Sequence, residues 1–238
     1  MTFDTALTEG RLIKRYKRFL ADVELDNGEI VTAHCANSGS MMGLKESGST
    51  VYLSPNTNPK AKLDWRWEIA SQDGNLVGIN TSRPNAIVAQ AIEDGAISEL
   101  ADFESLKREV KYGQNSRIDI LLYGRDGRNT YVEVKNVTLR RPDQADPEAA
   151  EFPDAVTARG AKHLNELSDM VDQGHRAVMF YLVQRGDCTH FRLAEDIDPE
   201  YTSAFKRARN RGVEVLCYDC DVTPTEIRLR NPLSIIEP

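Results

Sequence analysis

Apolar and polar positions alternate over residues 11–25, 30–36, 50–54, 65–71 and 76–80, and this period predicts about five short strands. Turn sequences separate them: Asp26-Asn27-Gly28, Asn37-Ser38-Gly39, Ser54-Pro55-Asn56 and Asp73-Gly74-Asn75. Five short strands in so brief a stretch suit a small closed barrel, so residues 1–80 are expected to form an OB-like β-barrel. The pattern then changes. Pro84 to Glu93 predicts a helix with proline in its first turn and Gly95 closing it. Strands follow at 106–112, 117–123 and 130–138, then a polar loop from Pro142 to Pro147. A helix over 155–172, capped by Asp154 and ended by Gly174, carries an apolar stripe through Gly160, Leu164, Leu167 and Val171. The apolar run Ala177 to Val183 predicts a strand buried on both faces. A helix at 199–211 leads into strands near 213–219 and 226–230. Residues 81–238 are therefore expected to form an α/β domain with a mixed sheet.

Charge narrows the possible partners. Against 37 acidic residues stand 30 lysines and arginines, a formal net charge of −7 over 238 residues. Such a chain has no protein-wide positive field, so a nucleic-acid partner needs a local basic patch. Residues 11–18 supply Arg11, Lys14, Arg15, Lys17 and Arg18 with no acid among them. Aromatic side chains interleave there and again at Trp65-Arg66-Trp67, a mixture that grips nucleic acid through phosphate contacts and base stacking. Tyr16, Phe19 and one tryptophan can equally fill the barrel. The arginines and lysines, Arg66 included, have no use inside it.

No apolar run approaches the ~18 residues of a membrane span, and no signal-peptide pattern opens the sequence. A cytoplasmic protein without a membrane partner is expected. Four scattered cysteines make no disulfide framework. Cys217 and Cys220 have C-x-x-C spacing without the second pair that a zinc site needs, so reduced thiols are expected. The absence of P-loop, GxGxxG, nucleophile-elbow and HExxH patterns excludes the common nucleotide-hydrolase, dehydrogenase and zinc-protease readings.

Strand 130–138 carries Glu133 and Lys135 on one face among valines. A hairpin whose loop is Arg125-Asp126-Gly127 would set Asp119 opposite Glu133 and Arg117 opposite Lys135. Two neighbouring carboxylates on a buried face call for a cation, and a hard ion, Mg²⁺ or Mn²⁺, is the natural one. Lys135 can then orient water or neutralise a phosphate, so Asp119, Glu133 and Lys135 suggest metal-assisted phosphodiester hydrolysis. Arg159, Lys162, His163 and Glu166 form a polar stripe on the following helix. That stripe is either a solvated face or, through Arg159 and Lys162, a phosphate grip.

The helix, three strands, helix, strand order resembles the core of the PD-(D/E)xK nuclease superfamily. Asp119 matches the motif aspartate, and Glu133 and Lys135 match the (D/E)xK pair; Ile118 replaces the proline that precedes the aspartate. A first-helix acid, as in many members, would be Glu93; Glu109 is the other candidate for a third metal ligand. Longer motifs resemble the sugar fermentation stimulation protein A (SfsA) family: Arg15 to Val23, His34 to Met41, Leu106 to Gly113, Ser116 to Asp119, Glu133 to Leu139 and Phe152 to Leu164. The resemblance implies an OB-like domain joined to a PD-(D/E)xK-like domain, DNA binding with little sequence specificity, and a regulatory role in maltose metabolism. The alternative is a metal-dependent nuclease acting on DNA or structured nucleic acid.

Overall fold

The computed structural model describes residues 1–113 and 115–238. The first six strands are β1 (Thr8–Tyr16), β2 (Leu20–Leu25), β3 (Ile30–His34), β4 (Thr50–Pro55), β5 (Trp65–Gln72) and β6 (Asn75–Gly78). β1 pairs antiparallel with β2 and β4, β2 with β3, and β4 with β5; β3 closes onto β5 in parallel. Five strands thus form a closed OB barrel, and β6 adds to β5. Alternate residues such as Leu12, Val23, Ala33, Val51, Leu53 and Trp67 fill it. Trp67 is wholly buried, with its indole Nε1 donating to the Ile69 carbonyl at 2.8 Å.

The predicted strand 11–25 is two strands. Lys17 and Arg18 take φ of 49° and 65°, so the chain reverses between Tyr16 and its partner Leu20. Left-handed backbone costs a non-glycine residue about 1–2 kcal/mol, and neither glycine nor asparagine marks this turn in the sequence.

The second half contains α1 (Pro84–Glu93), β7 (Ser105–Tyr112), β8 (Ser116–Tyr123), β9 (Thr130–Val137), β10 (Ala149–Phe152), α2 (Ala158–Asp172), β11 (Arg176–Val183), β12 (His190–Leu193), α3 (Pro199–Asn210), β13 (Glu214–Val222), β14 (Ile227–Pro232) and β15 (Ser234–Ile236). The main sheet runs β14-β13-β11-β9-β8-β7, with β11 parallel to both β9 and β13. This mixed sheet and its helix order make a PD-(D/E)xK-like α/β domain. α1 packs against Ile120, Val132, Val178 and Phe180 on one face, while α2 and α3 cover Ile118, Leu121, Met179 and Tyr181 on the other. β11 is buried on both faces, as its continuous apolar run requires. β10, β12 and β15 form a small parallel sheet whose three- and four-residue strands are too short to show a period in sequence. Cys217 and Cys220 sit in the cores on opposite sheet faces, and all four cysteines are free and buried. Among the described residues no helix is long and apolar enough to cross a membrane.

α2 starts three residues later than its pattern suggests. Thr157 is the cap, its Oγ1 accepting from Gly160 N at 3.1 Å. Asp154 instead reaches the barrel, where it accepts from Met41 N at 3.2 Å and Ser40 Oγ at 3.4 Å. A Cβ on Gly39 would stand 2.5 Å from Asp154 Oδ2, so only glycine admits this contact without a shift. Arg185 forms a second tie. Its guanidinium is fully buried, donating to Gln72 Oε1 in β5 and to the Thr138 carbonyl, both at 2.9 Å, and to both oxygens of Asp187. Truncating one member of a buried ion pair leaves the other uncompensated. Arg185→Ala should therefore destabilise the fold by about 3–5 kcal/mol in urea unfolding; an unchanged midpoint would contradict this role.

Candidate functional site

The β8–β9 hairpin has the predicted register. Leu122 pairs with Thr130, Leu121 with Tyr131 and Ile120 with Val132, and Gly127 takes φ 82° in the loop. The ladder stops there, one residue short of Asp119. Asp119 and Glu133, and likewise Arg117 and Lys135, consequently do not form the expected cross-strand pairs. The Asp119 carboxylate occupies the parting of the strands: Oδ2 accepts from Val134 N at 2.8 Å, and Oδ1 accepts from Asn85 Nδ2 at 2.7 Å. A side chain thus satisfies a donor that the neighbouring strand leaves open. The same Asn85 amide reaches Glu109 Oε1 at 3.3 Å.

Glu133 and Lys135 share a face, as their spacing predicts, and that face meets α2. Glu133 is only 2% exposed. Its Oε1 receives Lys135 Nζ at 2.7 Å and His163 Nδ1, and the lysine lies 3.3 Å from the same ring nitrogen. Arg159 Nε donates to His163 Nε2 at 3.2 Å, which leaves the imidazole proton on Nδ1, toward Glu133. The other glutamate oxygen, Oε2, is buried without a hydrogen-bond partner, and so is the Tyr112 hydroxyl. Beside them Lys162 Nζ donates to Ser116 Oγ at 3.0 Å, and Ser116 Oγ donates to Glu166 Oε1 at 2.9 Å.

The electrostatics separate the two carboxyls. Burial, and then the charge of Glu133, push Asp119 up to about 6, against weaker opposition from Val134 N–H, Lys135 and Asn85. Burial acts on Glu133 in the same sense, but Lys135 and His163 outweigh it and hold Glu133 below its ordinary value. Tyr112 is raised by burial and by the charges of Glu133, Glu166 and Asp119, so its phenol stays protonated as a donor. An ionised pair with one unpartnered buried oxygen is a donor set for a hard divalent ion. Among the described residues no three His, Cys, Asp or Glu side chains are grouped to hold a metal. With Glu133 Oε2 as the unpartnered oxygen, the residues fit only an ion that relies on one or two carboxylates and takes its remaining ligands from water or phosphate, as Mg²⁺ does.

The third-ligand candidates part company. Glu93 ends α1 and is exposed, eight residues beyond Asn85 and so about 12 Å further along the helix axis. The rise per residue carries it away from Asp119. Glu109 has φ 55° and is tied to Asp119 through Asn85.

The basic residues divide similarly. Lys17 and Arg18 project from the β1–β2 turn, exposed, and their side chains have no partner among the described residues. Arg11 bonds Thr50 and approaches Glu9, Lys14 pairs with Asp22 at 3.6 Å, and Arg66 bonds Asn56. Arg15 has become structural: its Nη2 reaches the carbonyls of Arg18, Asn37 and Gly39 at 2.8–3.1 Å. Arg159 and Lys162 lie beside the carboxylates through His163 and Ser116. The α2 stripe is not a solvated face, because His163 and Glu166 are buried; their spacing from Arg159 and Lys162 was the signal. Asn85, Tyr112 and Ser116 carried none that distinguishes them from ordinary helix and strand residues.

Comparison with known proteins follows the two halves of the fold. The family model described as "SfsA N-terminal OB domain" matches residues 13–79, and the "Sugar fermentation stimulation protein RE domain" matches residues 82–226. A sugar fermentation stimulation protein homolog of Paramagnetospirillum magneticum is 54% identical, covering 99% of this chain and 98% of its own. Another, of Rhodospirillum rubrum, is 55% identical over the full length of both. The structure of Pyrococcus furiosus SfsA in complex with Ca²⁺ is similar in fold, with a TM-score of 0.87 at 24% identity, covering 99% of this chain and 98% of that one.

The raised Asp119 pKa has a signed consequence. Between its ordinary value of 3.8 and about 6, the folded state holds a proton that the unfolded state has released. Stability should fall as pH rises through that window when no divalent ion is present. In EDTA, the Tm of wild type minus that of Asp119→Asn should decrease from pH 4 to pH 6; a flat difference would remove the assigned environment.

Proposed function

This chain belongs to the sugar fermentation stimulation protein family, and we propose that it is a DNA-binding protein that holds Mg²⁺ or Mn²⁺ between Asp119 and Glu133. The observation that carries the reading is Glu133 Oε2, buried and unpartnered while Oε1 is held by Lys135 and His163. A bound divalent ion would supply Lewis-acid polarisation of a phosphoryl oxygen. The chain's own residues do the rest. Lys135 and His163 keep Glu133 ionised, Arg159 fixes the histidine tautomer, and Val134 N–H and Asn85 orient Asp119. DNA is held at phosphates, chiefly by Lys17 and Arg18, so its sequence is read little. The regulatory role in maltose metabolism that the family resemblance implies would act through this binding.

Hydrolysis is a second reading, favoured by Lys135, whose ammonium stands 2.7 Å from Glu133 on a partly open side chain. In it, water attacks phosphorus, a P–O bond of the backbone breaks, and Lys135 stabilises charge accumulating on the phosphoryl oxygens.

Calorimetric titration with Mn²⁺ should show binding whose affinity rises from pH 5 to pH 7, as the ion displaces the Asp119 proton. Asp119→Ala and Glu133→Ala should each weaken it at least tenfold; heats indistinguishable from wild type would defeat the metal assignment. Labelled single-stranded, duplex and branched DNA, incubated with and without Mn²⁺, should be retarded in a gel. Loss of intact strand that requires both Mn²⁺ and Lys135 would select hydrolysis, while retardation without cleavage selects binding alone. Lys17→Ala with Arg18→Ala should lower the slope of log K against log salt by about 2, and an unchanged slope would exclude this turn as the phosphate grip.

A further inference from the structure

A cleft of about 670 Å³ opens between the barrel and the α/β domain, separate from the carboxylate site but next to it in the chain. Arg15, Arg18 and Lys45 line it from the barrel side, and Asn136 and Thr138 from the end of β9. Asn136 directly follows Lys135. Thr81, also in the wall, lies four residues before Asn85, the residue that orients Asp119.

We propose that this cleft takes a single strand of DNA and leads it from the β1–β2 turn of the barrel toward Asp119 and Glu133. The inference rests on the DNA-binding reading above and specifies which form of DNA is held. The cleft is too small to enclose a duplex: a space of this volume is about 9 Å across if equidimensional, less than the ~12 Å that separates the two strands across the major groove of B-DNA. A single strand, with its bases unstacked, is the form that fits.

Charge is consistent with a phosphate backbone. Two acids face the cleft, and both are engaged within the protein. Glu151 is held by Arg141 and Arg192, and Asp154 accepts from Met41 N and Ser40 Oγ. Two cations retain capacity: Arg18 has no side-chain partner among the described residues, and Lys45 Nζ donates to the Ser40 carbonyl at 2.9 Å with further protons to offer.

Two exposed apolar side chains could meet bases: Val156, in the cleft wall, is 76% exposed, and Phe19, which follows Arg18 in the turn, is 49% exposed. Aromatic stacking contributes about 1–3 kcal/mol per base in single-strand binders, without regard to sequence. The left-handed backbone at Lys17 and Arg18 fits the same purpose. Strained non-glycine residues persist where the conformation serves a site, and here the strained pair carries two exposed cations, of which Arg18 lines the cleft.

Fluorescence anisotropy with a labelled oligo-dT of about 10 nucleotides and a duplex of equal length tests this on the full chain. Wild type should bind the single strand more tightly than the duplex. Arg18→Ala with Lys45→Ala should weaken single-strand binding about tenfold. Ser38→Trp, which narrows the cleft without changing charge, should also weaken it, while Arg228→Ala on the remote sheet edge should not. Salt-dependent binding of both DNAs with equal affinity, unaffected by the cleft variants, would overturn the cleft assignment and leave DNA binding standing. Absence of binding to either DNA would overturn both.

Discussion

The hydrogen bond from Val134 N–H to Asp119 Oδ2 fixes the geometry on which the rest depends. β8 and β9 are paired up to Ile120 and Val132, and continuing that ladder would have closed the sheet over the site. Placing a carboxylate where a backbone carbonyl would otherwise accept lets the strands part while the exposed donor stays satisfied. The opening that results keeps a carboxyl between two elements, bonded to β9 on one side and to α1 through Asn85 on the other. Its environment follows from that place: low solvation and a neighbouring glutamate raise its pKa.

Glu133, which precedes Val134 in β9 and meets α2, lies under opposite conditions. A lone buried carboxylate is costly, and here Lys135 and His163 converge on one of its oxygens while the second is left without a partner. The asymmetry within one carboxylate is the feature on which the proposed metal site rests. The barrel contributes position. Asp154 and Arg185 tie it against the α/β domain from two directions, and Arg18 of the β1–β2 turn lines one cleft with Asn136 and Thr138 at the end of β9.

Much of this was legible in the chain. α1 and its glycine stop, the doubly buried β11, and the β8–β9 register all follow from period, proline and glycine placement, and Glu133 with Lys135 follows from spacing. What was hidden has physical reasons. Lys17 and Arg18 form a turn that uses residues with no turn preference, so the sequence pattern runs on as one long strand where two exist. Asp154 stands where a helix cap is usual, and the tertiary approach of Ser40 and Met41, with Gly39 leaving room, recruits it to the barrel instead. Asp119 keeps its position in the motif, yet its contact is with a backbone amide that strand pairing would have been expected to consume. Glu93 falls on the right helix but at the wrong end, because an acid on α1 near Asp119 would need the position that Asn85 holds.

The most direct measurement is an anomalous difference map from a crystal soaked in Mn²⁺. Shared coordination predicts one peak in the gap between β8 and β9, at about 2.1 Å from an Asp119 oxygen and from Glu133 Oε2. A map without that peak at saturating Mn²⁺, or with Glu133 Oε2 still uncoordinated, would contradict it.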